Sequence, residues 1–259
     1  MPRPSELPAG QAGHAGQTEH AAQVGQAGSV ASPEESAAGH PARVRRFGPA
    51  VRLVHLATAT LTGVCLASAA CLYLPPLAEL VGRRHLVVTV HEWSGLLIPA
   101  PVLLGLGSRA FRGDLRRLNR FGPHDRTWLR SALRRDHRPA ARPAGKFNAG
   151  QKLYASWSTG AALVMLGTGL LMWFTGLAPL TWRTGATFVH DWLAIAMTVA
   201  VAGHVVMAVR DPEARRGMRT GSVTADWARR EHPLWRPDGS SASGAVRPTP
   251  ARPPRPGRR

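Results

Sequence analysis

Two histidines fourteen residues apart, His190 and His204, lie in one uninterrupted apolar stretch, VHDWLAIAMTVAVAGHVVMAV. Fourteen residues of helix rise about 21 Å and complete almost four turns, so both imidazoles leave the same face at two depths. An ionisable side chain within a membrane-length segment is costly and normally marks function. Two more histidines, His55 and His91, sit inside earlier hydrophobic runs. Neutral imidazoles facing each other across a helix bundle suit the two axial positions of a low-spin b-type haem, and four at two levels suit two haems. A single histidine in such a helix has a plainer use as a polar residue hydrogen-bonded to a neighbour. Four of them at matched depths favour metal ligation.

Depth follows from the charged residues that mark each interface. His91 lies seven residues after Arg84 and His190 seven after Arg183, whereas His55 lies three after Arg52 and His204 six before Arg210. The expected pairs are therefore His91 with His190 on the outer side and His55 with His204 on the inner side. Zinc or a diiron centre would need ligands, carboxylates among them, gathered at one level. Met165, Met172, Met197 and Met207 are read as filler. Around the outer pair, Val90-His91-Glu92-Trp93 is echoed by Val189-His190-Asp191-Trp192, an acid near a helix N-terminus followed by an interfacial Trp. His85 is expected at an interface, and His14, His20, His40, His124, His137 and His232 in solvent.

The elements that must position these ligands are four apolar runs. The expected helices span about 53–74, 85–108, 152–177 and 185–209, the first stopped by Pro75 and Pro76 and the second carrying Pro99 and Pro101. Gly160, Gly167 and Gly169 give the third a thin face, and Gly203 removes bulk beside His204. Residues 1–42 and 237–259 are expected to be disordered tails rich in Ala, Gly, Pro and Arg, which dilute the mean hydropathy to slightly below zero. No hydrophobic run follows the initial Met-Pro-Arg, so the first membrane helix is expected to serve as its own targeting signal.

The 259-residue chain carries a formal net charge of +18. Arg and Lys concentrate before the first helix, in a long basic loop over 109–146 and after the fourth helix, while the other two connections are poor in them. This bias places both termini in the cytoplasm and explains the charge better than nucleic-acid binding, for which no module is present. Cys65 and Cys71 lie six residues apart outside any CxxC pattern and read as packing residues.

From about Arg46 to Arg236 the sequence resembles the cytochrome b (gamma) subunit of membrane-bound respiratory formate dehydrogenases, within the bacterial di-haem cytochromes b. The most specific stretch is Gly145-Lys146-Phe147-Asn148-Ala149-Gly150-Gln151-Lys152 at the entry of the third helix. A second runs from Gly221 to Trp235, GSVTADWARREHPLW. The resemblance implies an all-α bundle of four transmembrane helices, over 43–236, holding two haem b in a bacterial inner membrane. It places the family's ligands on His55, His91, His190 and His204, and the wall of a quinone site on Asn148, Gln151 and His204. Implied partners are an iron–sulfur subunit, a catalytic formate dehydrogenase subunit, membrane quinone and the bilayer, in a complex that can form a higher oligomer. Electron donors of hydrogenase or thiosulfate reductase type, a free-standing cytochrome and a haem-free basic adaptor are the other readings.

Overall fold

The computed structural model describes residues 42–136 and 138–237. The tails expected over 1–42 and 237–259 fall, except for Ala42 and Pro237, outside the described residues, as do His14, His20, His40 and His137. A short strand β1 (Arg43–Arg45) precedes the first long helix, α1 (Pro49–Tyr73), which Pro49 opens from a position where a missing N–H costs nothing. Pro75 and Pro76 end α1 and at once start a seven-residue helix, α2 (Pro75–Val81), closed by Gly82 in the left-handed conformation at φ 62°.

The second membrane run is broken in two, α3 (Arg84–Leu97) and α4 (Pro99–Gly105), because Pro99 cannot donate into the helix. The end of α4 lies hard against α1: a Cβ on Gly105 would stand 2.7 Å from Val54 Cγ2. The stretch read as an open basic loop is largely helical, forming α5 (Arg109–Leu118) and α6 (Pro123–Leu133). Then come α7 (Ala149–Trp173), α8 (Leu180–Arg210), α9 (Pro212–Thr220), β2 (Ser222–Thr224) and α10 (Ala225–Glu231).

Four helical segments are long and apolar enough to cross a membrane: Pro49–Tyr73, Arg84–Gly105, Ala149–Trp173 and Leu180–Arg210. Their outward faces carry Leu56, Leu104, Phe188 and Val199, all exposed, as expected of side chains meant for lipid. Helix α1 packs on α3 and α4, and α7 packs on α8, with a narrower seam between α3 and α7. Helix α8 faces α1 and α3 across a wider interval.

The most thoroughly buried side chains cluster at the basic end of the bundle. There β1 and β2 pair antiparallel, Val44 opposite Val223, and Val223 is fully buried with Trp227 and Ala228. The buried Arg46 guanidinium donates to the Lys146 carbonyl at 2.9 Å and lies 4.7 Å from the centre of the Trp227 ring. Burial lowers its pKa to about 10, so it remains a cation at neutral pH. Lys146 Nζ is 2.6 Å from buried Asp114, and Lys152 Nζ is 2.7 Å from buried Asp125. Gly221, at φ 88°, brings its backbone against the Phe47 carbonyl, where a Cβ would stand 2.7 Å away.

His232, expected in solvent, belongs to this cluster. It is 3% exposed, packs between Trp227 and Trp235, and its Nδ1 meets the Gly145 carbonyl at 2.6 Å. A basic, Pro-containing neighbourhood concealed it, because the aromatic rings that cover it come from the turns around it and the carbonyl from a segment 87 residues away. Burial, assisted by the Arg46 charge, pushes its pKa from 6.5 down to about 3. The folded state therefore binds fewer protons than the unfolded chain between those values. The stabilisation is complete above pH 6.5 and is lost as pH falls toward 3. Thermal unfolding of the detergent-solubilised protein should move to lower temperature between pH 7 and pH 5, and His232→Asn should shrink that difference. An unchanged difference in the variant would assign the acid sensitivity elsewhere.

Candidate haem-ligand pairs

Helix α8 presents His190 and His204, and each faces a histidine from another helix. His91 of α3 and His190 have ring centres 6.2 Å apart with planes at 69°. His55 of α1 and His204 are also 6.2 Å apart, with planes at 50°. The rings bridge the interval that α8 keeps from α1 and α3. A metal–imidazole bond is about 2 Å long and the ring centre lies roughly 1 Å behind the nitrogen, so imidazoles on opposite sides of one metal have centres about 6 Å apart. Both separations suit that arrangement. Among the described residues no three His, Cys, Asp or Glu side chains converge on one point.

Hydroxyl groups stand at the Nδ1 atoms of the first pair. Ser68 Oγ donates to the Val64 carbonyl at 2.7 Å and lies 3.0 Å from His91 Nδ1. Thr168 Oγ1 donates to the Val164 carbonyl at 2.8 Å and lies 2.9 Å from His190 Nδ1. A hydroxyl has one proton, and here it is committed to the helix's own carbonyl. With the hydroxyl proton so placed, the matching tautomer carries its proton on Nδ1 and leaves Nε2 with the lone pair a metal requires. The Cys65 carbonyl, 3.2 Å from His91 Nδ1, is a further acceptor. Gly169 lets α7 approach the His190 ring, since a Cβ there would lie 3.5 Å from Cε1.

The second pair is held differently. Among the described residues neither His55 nor His204 has a hydrogen bond to a ring nitrogen. Instead Tyr154 of α7 stacks face to face on His204, with centres 4.8 Å apart and planes at 9°. Tyr154 lies about one turn beyond Gln151, which forms a reciprocal capping box with Asn148 at the start of α7. Gln151 N donates to Asn148 Oδ1 at 2.9 Å and Asn148 N to Gln151 Oε1 at 3.1 Å. The box uses the two carbonyl oxygens and leaves both amide NH2 groups as donors. Neither side chain hydrogen-bonds to His204.

Four contributors escaped the sequence reading. Ser68, Thr168 and Tyr154 touch the paired histidines, and Tyr73 of α1 donates to Asp191 at 2.6 Å, tying α1 to α8 beside His190. A signal for the first two was present. The echo between VHEW and VHDW extends backward, with Ser68 23 residues before His91 and Thr168 22 before His190.

Four membrane-length helices, three of them carrying the paired histidines, define a multi-pass b-type cytochrome, a class for which haem b is the implied group. The chain belongs to the prokaryotic cytochrome b561 family, whose model matches residues 46–221. It is similar to the formate dehydrogenase cytochrome b556 subunit of Haemophilus influenzae, 25% identical over 170 residues that cover 61% of this chain and 66% of that protein. It is 33% identical over 95 residues to the cytochrome b556(Fdn) subunit of the nitrate-inducible formate dehydrogenase of Escherichia coli K12, covering 35% and 43% respectively. The cytochrome b556(fdo) subunit of the same organism is 25% identical over 163 residues, covering 61% and 74%. The chain thus spans just under two thirds of the first relative's length and under half of the second's.

Proposed function

We propose that this chain is the di-haem cytochrome b anchor subunit of a formate dehydrogenase complex, carrying electrons from an iron–sulfur partner to membrane quinone. The observation that carries this reading is the placing of two histidine pairs, each 6.2 Å between ring centres, fourteen residues apart along one shared helix. The names of the relatives supply the formate dehydrogenase assignment. Haem b held between each pair would supply a one-electron carrier at each level.

The chain's own residues do the rest. His91 and His190 offer Nε2 lone pairs oriented by Ser68 and Thr168. His55 and His204 form the second level, with the His204 plane set by Tyr154. The basic end faces the cytoplasm by the positive-inside bias, so both ends of residues 43–236 lie inside and the His91/His190 pair is the outer one, in the inner membrane of a bacterium. At the inner end the spare amide donors of Asn148 and Gln151, at the entry of the helix whose Tyr154 stacks on His204, would meet a quinone carbonyl within reach of cytoplasmic water.

Haem content and the reduced-minus-oxidised visible spectrum of the detergent-solubilised chain test the architecture. Two b haems per chain are expected, and a folded, haem-free preparation would overturn it. The catalytic subunit that co-purifies tests the partner: a formate-oxidising one is expected, and a hydrogenase or thiosulfate reductase would replace that part of the reading. Asn148→Asp keeps the capping acceptor and removes the amide donor. It should slow quinone reduction about tenfold while both haems remain, in line with one lost hydrogen bond of roughly 1.5 kcal/mol. Unaltered quinone kinetics would reject Asn148 as a quinone contact.

A further inference from the structure

The two histidine pairs differ in one chemical respect that bears on the direction of electron flow. In the outer pair each Nδ1 lies within hydrogen-bond distance of a hydroxyl that also reaches its own helix's carbonyl, Ser68 for His91 and Thr168 for His190, so a ring that binds metal through Nε2 carries its Nδ1–H toward that hydroxyl. The rings of the inner pair have no such acceptor among the described residues, and His204 is held by the face of Tyr154 instead. A hydrogen bond donated from the distal nitrogen of an axial imidazole moves electron density toward the ligating nitrogen and raises its basicity. A more basic ligand favours the oxidised metal, which lowers the reduction potential, hydrogen bonding to ligands being one of the protein's levers on a haem. Oriented hydroxyls in an apolar bundle act in a low-dielectric setting, where their effect is larger than in water.

We infer that Ser68 and Thr168 are positioning residues that hold the outer haem at a lower potential than the inner one, so that electron transfer from the outer to the inner level runs downhill. This rests on the reading that each histidine pair holds a haem. The hydroxyls do so through His91 and His190 and do not touch the iron. Spacing supports a built device: the same hydroxyl-to-imidazole contact occurs in both halves of the chain, on α1 for α3 and on α7 for α8, at 3.0 and 2.9 Å. The single electron that leaves the outer level is the one gained at the inner level, and no further reactant is needed.

The test is an equilibrium redox titration of the purified, haem-loaded protein, followed by visible spectra, on the wild type and on Thr168→Val, Thr168→Ser and Ser68→Ala. Wild type should show two potentials, the higher belonging to the component that disappears in His204→Ala. Thr168→Val keeps the shape of the side chain and removes the acceptor. It should raise the lower potential and leave the higher one in place, shifting the one-electron equilibrium between the haems about tenfold, or ~59 mV. Thr168→Ser should restore the wild-type value. Ser68→Ala provides the same reading from the opposite ligand should Thr168→Val fail to assemble. Two haems whose lower potential is unmoved in both Thr168→Val and Ser68→Ala, or a higher potential assigned to the outer haem, would overturn the inference while leaving the di-haem reading intact. A wild-type protein without two haems would instead overturn the reading beneath it.

Discussion

His190→Ala is expected to lower haem content from two per chain to one and to delete the outer spectral component, and His204→Ala to delete the inner component alone. On the proposed reading each substitution would remove one of the two imidazoles that hold a haem, and the partner left behind, His91 or His55, would offer a single ring nitrogen where two are needed. The other pair lies fourteen residues away along α8, about 21 Å, with its own partner on a different helix. Loss at one level should therefore leave the other level's spectrum unchanged. The two variants serve as mutual controls for folding, since each must retain the haem the other loses. If either variant keeps both low-spin components, the ligand assignment is wrong. If either loses both, the levels are not independent and the paired arrangement does not describe the binding sites.

The second large effect is expected far from the histidines. Asp125→Ala should destabilise the detergent-solubilised protein by about 3–5 kcal/mol, because it strands the Lys152 ammonium in a buried site. The Lys152 and Asp125 side chains are 6% and 2% exposed, and Nζ lies 2.7 Å from Oδ2 and 2.9 Å from the Arg120 carbonyl. The same carboxylate oxygen accepts from Gly122 N at 2.7 Å, so the substitution also removes the cap of α6. Pairing Asp125→Ala with Lys152→Met should recover much of the loss, since the double variant leaves no unpaired buried charge. Denaturation monitored by circular dichroism would read both. A single variant within 1 kcal/mol of wild type would show that solvent reaches this pair and that the α6–α7 junction is looser than its geometry.

Asp125 and Lys152 also show where reading residues in order falls short. Hydropathy counts a lysine and an aspartate as solvent-facing, yet here each is sheltered by the other. Lys146 with Asp114 repeats the pattern, and Arg46 is buried by the Lys146 carbonyl and by the rings of Phe47, Trp227 and Trp235. These contacts join residues up to 189 apart, Arg46 with Trp235, so no local window contains both partners. The octapeptide Gly145–Lys152 and the segment from Gly221 to Trp235, picked out by resemblance, meet in this unit through the His232 ring and the Gly145 carbonyl. Asn148 and Gln151 were legible as polar residues at a helix entry. Their three-residue spacing is itself a capping pattern, and it closes into a reciprocal box where the backbone turns into α7.

The sequence by itself determined four apolar spans, their prolines and basic flanks, and four histidines whose depths could be matched in pairs. It could do so because a membrane helix has a fixed rise per residue and charged residues mark where it leaves the bilayer. Only the tertiary structure decided what surrounds each ring: Ser68 and Thr168 at the Nδ1 atoms of one pair, Tyr154 on the face of the other, and Tyr73 reaching Asp191. It also turned a stretch read as basic loop into a packed unit. The physical reason is the same in both places. Depth is a property of one helix, whereas a side-chain contact depends on how two helices are rotated and set against each other, which rise per residue does not contain.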